Sequence, residues 1–288
     1  MDRSSLPALR GLLEKSEQTL RRAEDFFNLF VLESAEHLLA QMCQKTKAED
    51  CLTLFEEYLT ACDPRVFPKE TLSAEIALEI CRLSTKRGLN LPIFQMDTHP
   101  FPSDLCYVKN RFTESLLPLL EDEAAIYYAE DFEDACKRVK SGQRQACLLP
   151  FMGEDRLPLQ GISRMIDEFD LKKCRLFHVD DGEQDTVYFL LSSALRPPED
   201  ADSLELMTAS SREMIEAVLS LCERQGLLCS LPAPLRGISD PAAKSDVHFC
   251  RFTLQGKRED LALFYGVLRL CLPESALCGL YDEAELIE

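Results

Sequence analysis

The sequence predicts a multidomain chain of mixed class. A helical region spans residues 1–100, a single α/β lobe spans 101–198, and an α+β domain of the order βαββαβ spans 199–288. Three observations predict it. Apolar residues recur at helical spacing as far as about residue 90. Past a proline-bearing stretch, short apolar runs alternate with helical ones. A second proline break then opens a different order of elements.

The first region carries Leu9, Leu12, Leu13 and Leu20, then Phe26, Phe27, Phe30 and Leu32, all at helical spacing. Glu49 to Thr60 repeats the pattern through Leu52, Phe55 and Leu59, and Asp63-Pro64 with Pro68 breaks it. Ser73 to Gly88 is a further helix, with Gly88 its C-cap after Lys86 and Arg87. The region reads as an amphipathic bundle used for packing or dimerisation.

Leu91 to Ser103, with Pro92, Pro100 and Pro102, is the first linker. After it Leu105–Val108, Ala125–Tyr128, Ala146–Phe151, Cys174–Val179 and Thr186–Ser192 read as strands. Helices over Phe112–Leu120, Phe132–Ser141 and Leu159–Phe169 lie between them. That alternation predicts a mainly parallel sheet. Arg196-Pro197-Pro198 is the second linker. Strands at Ser203–Met207, Leu227–Leu231, His248–Leu254 and Ala276–Tyr281, with helices at Ser211–Gln225 and Leu261–Leu272, give the ferredoxin-like split unit.

Composition excludes several classes. The chain of 288 residues has 46% hydrophobic residues, enough for a core, and a formal charge of −18. The acidity is spread along its length with no basic cluster, which disfavours nucleic acid and anionic lipid. Its 13 cysteines lie singly, many inside apolar runs, with no C-x-x-C pair. That usage fits buried thiols in a reducing compartment and predicts a cytoplasmic protein. No apolar run is long enough for a membrane helix, and Met1 to Arg10 lacks a signal-peptide core.

The run YYAEDFEDACKRVKSGQRQACLLPF places Phe132, Val139, Gly142, Leu149 and Pro150 in the spacing of a strand, helix and strand of the prephenate dehydratases. GISRMIDEFDLKKCRLFHV is similar to the next helix and strand. The chain from Cys106 onward thus resembles that family, and the βαββαβ part stands where the family carries its phenylalanine-sensing ACT domain. The resemblance implies one lobe of a periplasmic-binding-protein-like fold followed by an ACT-like domain, which usually pairs side by side into a homodimer.

The departures bear on activity. The family's Glu-Asn-Ser is replaced by Met152, Gly153 and Glu154, and its glycine-bracketed first loop by Lys109 to Ser115. Its catalytic Thr-Arg-Phe falls on Val187, Tyr188 and Phe189, with Thr186 one place off. The family inserts a second lobe where this chain runs directly from Val179 to Thr186. In the ACT-like part Ser210 and Ser211 replace a glycine, and only Pro232-Ala233-Pro234 stands near the expected Glu-Ser-Arg-Pro.

The candidate ligand-binding residues are Lys109, Asn110, Arg111, Thr113 and Ser115, in a loop that follows a strand and opens a helix, where an anion meets free N–H groups. Glu154 could line the same crevice. Thr113 reads equally as a helix cap, and Glu154 to Arg156 as a solvated turn. Thr186 is the catalytic candidate if the chain is active, and otherwise a β-branched residue opening a strand. His178 and Asp180 share a strand face but make no metal set. The expected function is a non-catalytic, ligand-sensing or regulatory protein of aromatic amino-acid metabolism. The alternative is a divergent prephenate dehydratase, a carbon–oxygen lyase. The expected partners are a small molecule (an aromatic amino acid or prephenate) and a second copy of the chain, with no cofactor and no metal.

Overall fold

Helical spacing in the first third of the chain becomes three helices: α1 (Leu6–Met42), α2 (Ala48–Ala61) and α3 (Lys69–Arg87). A computed structural model describes residues 6–63, 65–121, 123–151, 160–180, 185–230 and 247–287. Gly88 caps α3 at φ 65°, and Leu89 N–H returns to the Ser84 carbonyl, as the sequence signal predicts. The chain divides into two compact units, residues 1–95 with 263–273 and residues 96–262 with 274–288. The boundary expected at 198 therefore lies inside the second unit.

In the first unit Leu38, Leu39, Met42, Phe55, Ile76 and Ile80 are buried, and Val267, Leu268 and Cys271 are buried with them. Gly266 is required there. A Cβ at that position would stand 2.5 Å from the Phe94 ring and 2.9 Å from Cys81 Sγ.

The second unit holds one continuous sheet. Its strands are β1 (Asp104–Tyr107), β2 (Ala125–Tyr128), β3 (Ala146–Pro150), β4 (Lys172–Asp180), β5 (Asp185–Ser192), β6 (Ser203–Ser211), β7 (Leu228–Ser230), β8 (Val247–Gln255) and β9 (Ala276–Ile287). The helices α4 (Arg111–Glu121), α5 (Phe132–Lys140), α6 (Gln160–Glu168), α7 (Arg212–Arg224) and α8 (Arg258–Cys271) lie between them in sequence. Among the described residues the order is β2-β1-β3-β5-β4-β9-β6-β8-β7.

β1, β2 and β3 are parallel, as expected, but β5 runs antiparallel between β3 and β4. The short link between β4 and β5 imposes this, because a hairpin connection can join only antiparallel neighbours. Past β9 the order β9-β6-β8-β7 is wholly antiparallel, with β8 inserted between β6 and β7. This is the split βαββαβ arrangement.

The lobe has a core on each face of its sheet. Ala135, Cys136 and Val139 of α5 and Ile162 and Ile166 of α6 pack with Val187, Phe189 and Leu191 on one face. Leu116 and Leu120 of α4 pack with Phe177, Tyr188 and Leu190 on the other. Alternation along β5 sends its odd and even residues to these separate cores.

Candidate functional site

The loop between β1 and α4 is built by a reciprocal cap. Asn110 Oδ1 accepts from Thr113 N–H at 2.9 Å, and Thr113 Oγ1 accepts from Asn110 N–H at 2.9 Å. This satisfies two backbone donors at once, as in a capping box. The Thr113 hydroxyl, fully buried, has the Val108 and Asn110 carbonyls as acceptors, each at 3.0 Å. Asn110 is thus the N-cap, and Thr113 the residue that reaches back to it.

Tyr188 of β5 donates its hydroxyl to Asn110 Oδ1 at 3.1 Å. Burial raises the phenol's pKa, and the Asn110 bond opposes this only in part, so the hydroxyl keeps its proton and serves as a donor. Lys109 is exposed and pairs with Glu114 across 2.8 Å, which raises the ammonium's pKa. The side chains of Arg111 and Ser115, and the whole of Glu154, lie outside the described residues. Thr186 is buried on β5 opposite Val179. Alternation puts it on the Tyr188 face of the sheet. The structure thus joins Asn110, Thr113 and Tyr188 directly and places Thr186 on their side of the sheet. Tyr188 was missed as a partner because only the pairing of β3 with β5 carries it to the β1 loop; the one sequence signal was its two-residue spacing from Thr186.

A second polar centre lies at the middle of the sheet. The Glu205 carboxylate of β6 accepts from Lys173 Nζ of β4 at 2.5 Å and from the Arg251 guanidinium of β8. Arg251 also reaches Asp167 at 3.5 Å. Lys173 Nζ stands 4.1 Å above the Phe189 ring. Burial lowers the Lys173 pKa more than Glu205 raises it. Burial pushes the Glu205 carboxyl up, but the pull of Lys173 and Arg251 outweighs it and leaves that pKa below the ordinary value. No sequence pattern marks this centre.

No protein-family model matches the chain, and no curated protein matches it. Among solved structures it is similar to a prephenate dehydratase from Streptococcus mutans at 12% identity and TM-score 0.46, over 63% of this chain and 99% of that one. A prephenate dehydratase from Arthrobacter aurescens, solved in complex with L-Phe, is similar at 11% identity and TM-score 0.45, over 62% of this chain and 89% of that one. A quorum-quenching acylase is similar at 12% identity and TM-score 0.43, over 62% of this chain and 94% of that one. Prephenate dehydratases, the family that the sequence resembles, thus recur among the similar folds. Likeness of fold carries no activity to this chain.

Proposed function

We propose that this chain is a non-catalytic protein on the prephenate dehydratase plan that senses a small aromatic ligand and regulates a step of aromatic amino-acid metabolism. One observation carries the reading. β4 and β5 stay paired as far as Asp180 and Asp185, so the chain passes between them through residues 181–184 alone. A two-lobed enzyme of the kind the sequence resembles inserts its second lobe at that point. Dehydration needs an acid for the departing hydroxyl and groups that hold two carboxylates around the substrate. A single lobe offers one wall. On that wall the Thr113 hydroxyl and the Asn110 amide are bound to their own loop.

What supports a ligand is the start of α4, where helix N–H groups and the cations of Lys109 and Arg111 favour a carboxylate. Ser115 and Glu154 are proposed to complete that rim. None of the 13 cysteines is in a disulfide, which suits a cytoplasmic setting.

The test is a thermal-shift panel of prephenate, phenylalanine and tyrosine, with phenylpyruvate formation measured in parallel. A ligand that binds only the folded state, at a hundred times its Kd, stabilises it by about 2.7 kcal/mol. A shift with an aromatic compound and no phenylpyruvate is expected. Steady phenylpyruvate formation that Thr186→Ala abolishes would overturn the reading. It would favour a divergent dehydratase of phenylalanine biosynthesis, which the position of Thr186 on the Tyr188 face supports. A second copy would then have to supply the other wall.

A further inference from the structure

The turn that ends α7 folds one cysteine back onto another. Gly226 takes φ 83°, and Leu227 N–H returns to the Cys222 carbonyl at 3.1 Å. β7 then begins, and Cys229 pairs with Leu254 of β8. Its sulfur turns towards α7. Cys229 Sγ lies 3.9 Å from the Leu227 carbonyl oxygen and 4.0 Å from that of Leu219, one turn before Cys222. There the Cys222 thiol donates a hydrogen bond to it.

Cys136 of α5 and Cys147 of β3 are bonded to each other in the same way, but both are fully buried. The Cys222–Cys229 pair differs. Cys222 is fully buried, whereas Cys229 is half-buried and lies on β7, the last strand of the sheet order. One sulfur of this pair is thus open to a small reagent, and the other stands behind it. The hydrogen bond from Cys222 also holds the Cys229 thiol below its ordinary pKa, against burial and the Glu223 carboxylate. That favours the thiolate, which is the nucleophilic form.

We infer that Cys229 and Cys222 form a reversible modification site for a hydroperoxide, with Cys229 the reacting thiol and Cys222 the resolving one. The Cys229 sulfur attacks the peroxide. An S–O bond forms, the O–O bond breaks, and the leaving hydroxide or alkoxide takes up the proton that Cys229 gave up. The Cys222 sulfur then attacks the Cys229 sulfur. An S–S bond forms, the S–O bond breaks, and the departing hydroxide takes the Cys222 proton and leaves as water. Two thiols are oxidised and one peroxide is reduced. The new bond fastens β7 to α7, and a thiol reductant reverses it. The site is independent of the ligand reading above and stands or falls apart from it.

Hydrogen peroxide treatment of the reduced full chain, followed by alkylation and mass spectrometry, tests the site. Trypsin cuts after Arg212, Arg224 and Arg236, so Cys222 and Cys229 fall on separate peptides, 213–224 and 225–236, with no other cysteine on either. The expected result is a single chain lighter by about 2 Da, with those two peptides linked and dithiothreitol separating them. No link should join Cys136 to Cys147. Cys222→Ser should leave Cys229 as a sulfenic acid that dimedone captures, and Cys229→Ser should leave Cys222 a thiol. If Cys222→Ser fails to fold, the wild-type peptide map and Cys229→Ser decide. Absence of the linked peptides at a peroxide concentration that oxidises the exposed Cys43 would overturn the assignment. So would a Cys136–Cys147 link that forms as readily, or a sulfenic acid on Cys222 in Cys229→Ser.

Discussion

Lys173 of β4 and Glu205 of β6 both stand opposite Gly279 of β9, and they meet at 2.5 Å across the strand that separates them. The glycine makes the contact possible. A Cβ on it would lie 2.7 Å from Lys173 Cβ and 3.1 Å from the Lys173 carbonyl oxygen. The ladders shift register beside this row, between Lys173 and Arg175 and between Glu205 and Leu206. The ion pair therefore sits where the lobe half of the sheet joins the antiparallel half.

Removing one partner leaves a buried charge unpaired. Glu205→Gln is expected to destabilise the chain by about 3–5 kcal/mol, because Lys173 then has no anion. The double variant Lys173→Met with Glu205→Leu should recover part of the loss, since Arg251 retains Asp167. Urea denaturation of the three proteins measures this. Equal loss in the single and double variants would show that the pair is not the source.

The acid limb of stability should carry the same signature. The Glu205 pKa is depressed in the fold, so its contribution is fully present above the unfolded carboxylate value of about 4.3. It disappears as the pH falls through the lower folded value. Stability measured against pH should therefore fall less steeply below that point in Glu205→Gln than in the wild type. Parallel curves would contradict the assignment.

Gly279→Ala places a methyl group against Lys173 and the Tyr281 ring, at 2.7 Å and 3.1 Å. Overpacking of this kind costs roughly 1–3 kcal/mol. Gly161→Ala, with nothing within 4 Å, is the control and should be close to neutral. Denaturation midpoints of the two variants compare the effects directly.

The cap at the start of α4 predicts its own losses. Asn110→Ala removes the acceptor for Thr113 N–H and for the Tyr188 hydroxyl, which should cost about 1 kcal/mol. Thr113→Val removes a buried hydroxyl and leaves Asn110 N–H without its acceptor, at a cost of roughly 1–3 kcal/mol. Both are read by thermal unfolding. If Thr113→Val also abolishes a ligand shift while Asn110→Ala does not, the hydroxyl serves the ligand as well as the cap.

The local elements were legible in the sequence, because their causes are local. Apolar period placed the helices and, among the described residues, all nine strands. Gly88, Gly142 and Gly226 marked turns, and each adopts positive φ, at 65°, 75° and 83°, where a side chain is unfavourable. The short link from Val179 to Thr186 pointed to an absent second lobe, but the antiparallel pairing of β4 with β5 that it imposes was not foreseen. The loop Lys109–Ser115 was legible as a helix start, with Thr113 in its cap.

Tertiary structure decided the rest. β9 runs on past Tyr281 through the acidic stretch Asp282–Ile287, which has no strand-like apolar pattern. It does so because β4 lies alongside it and Arg175 holds Asp282 at 2.9 Å. That pairing merges two expected domains into one sheet. The Tyr188–Asn110 bond and the Lys173–Glu205–Arg251 centre have the same origin. Each joins residues far apart in sequence, and a charge or hydroxyl on a strand shows which face it occupies but not what waits there.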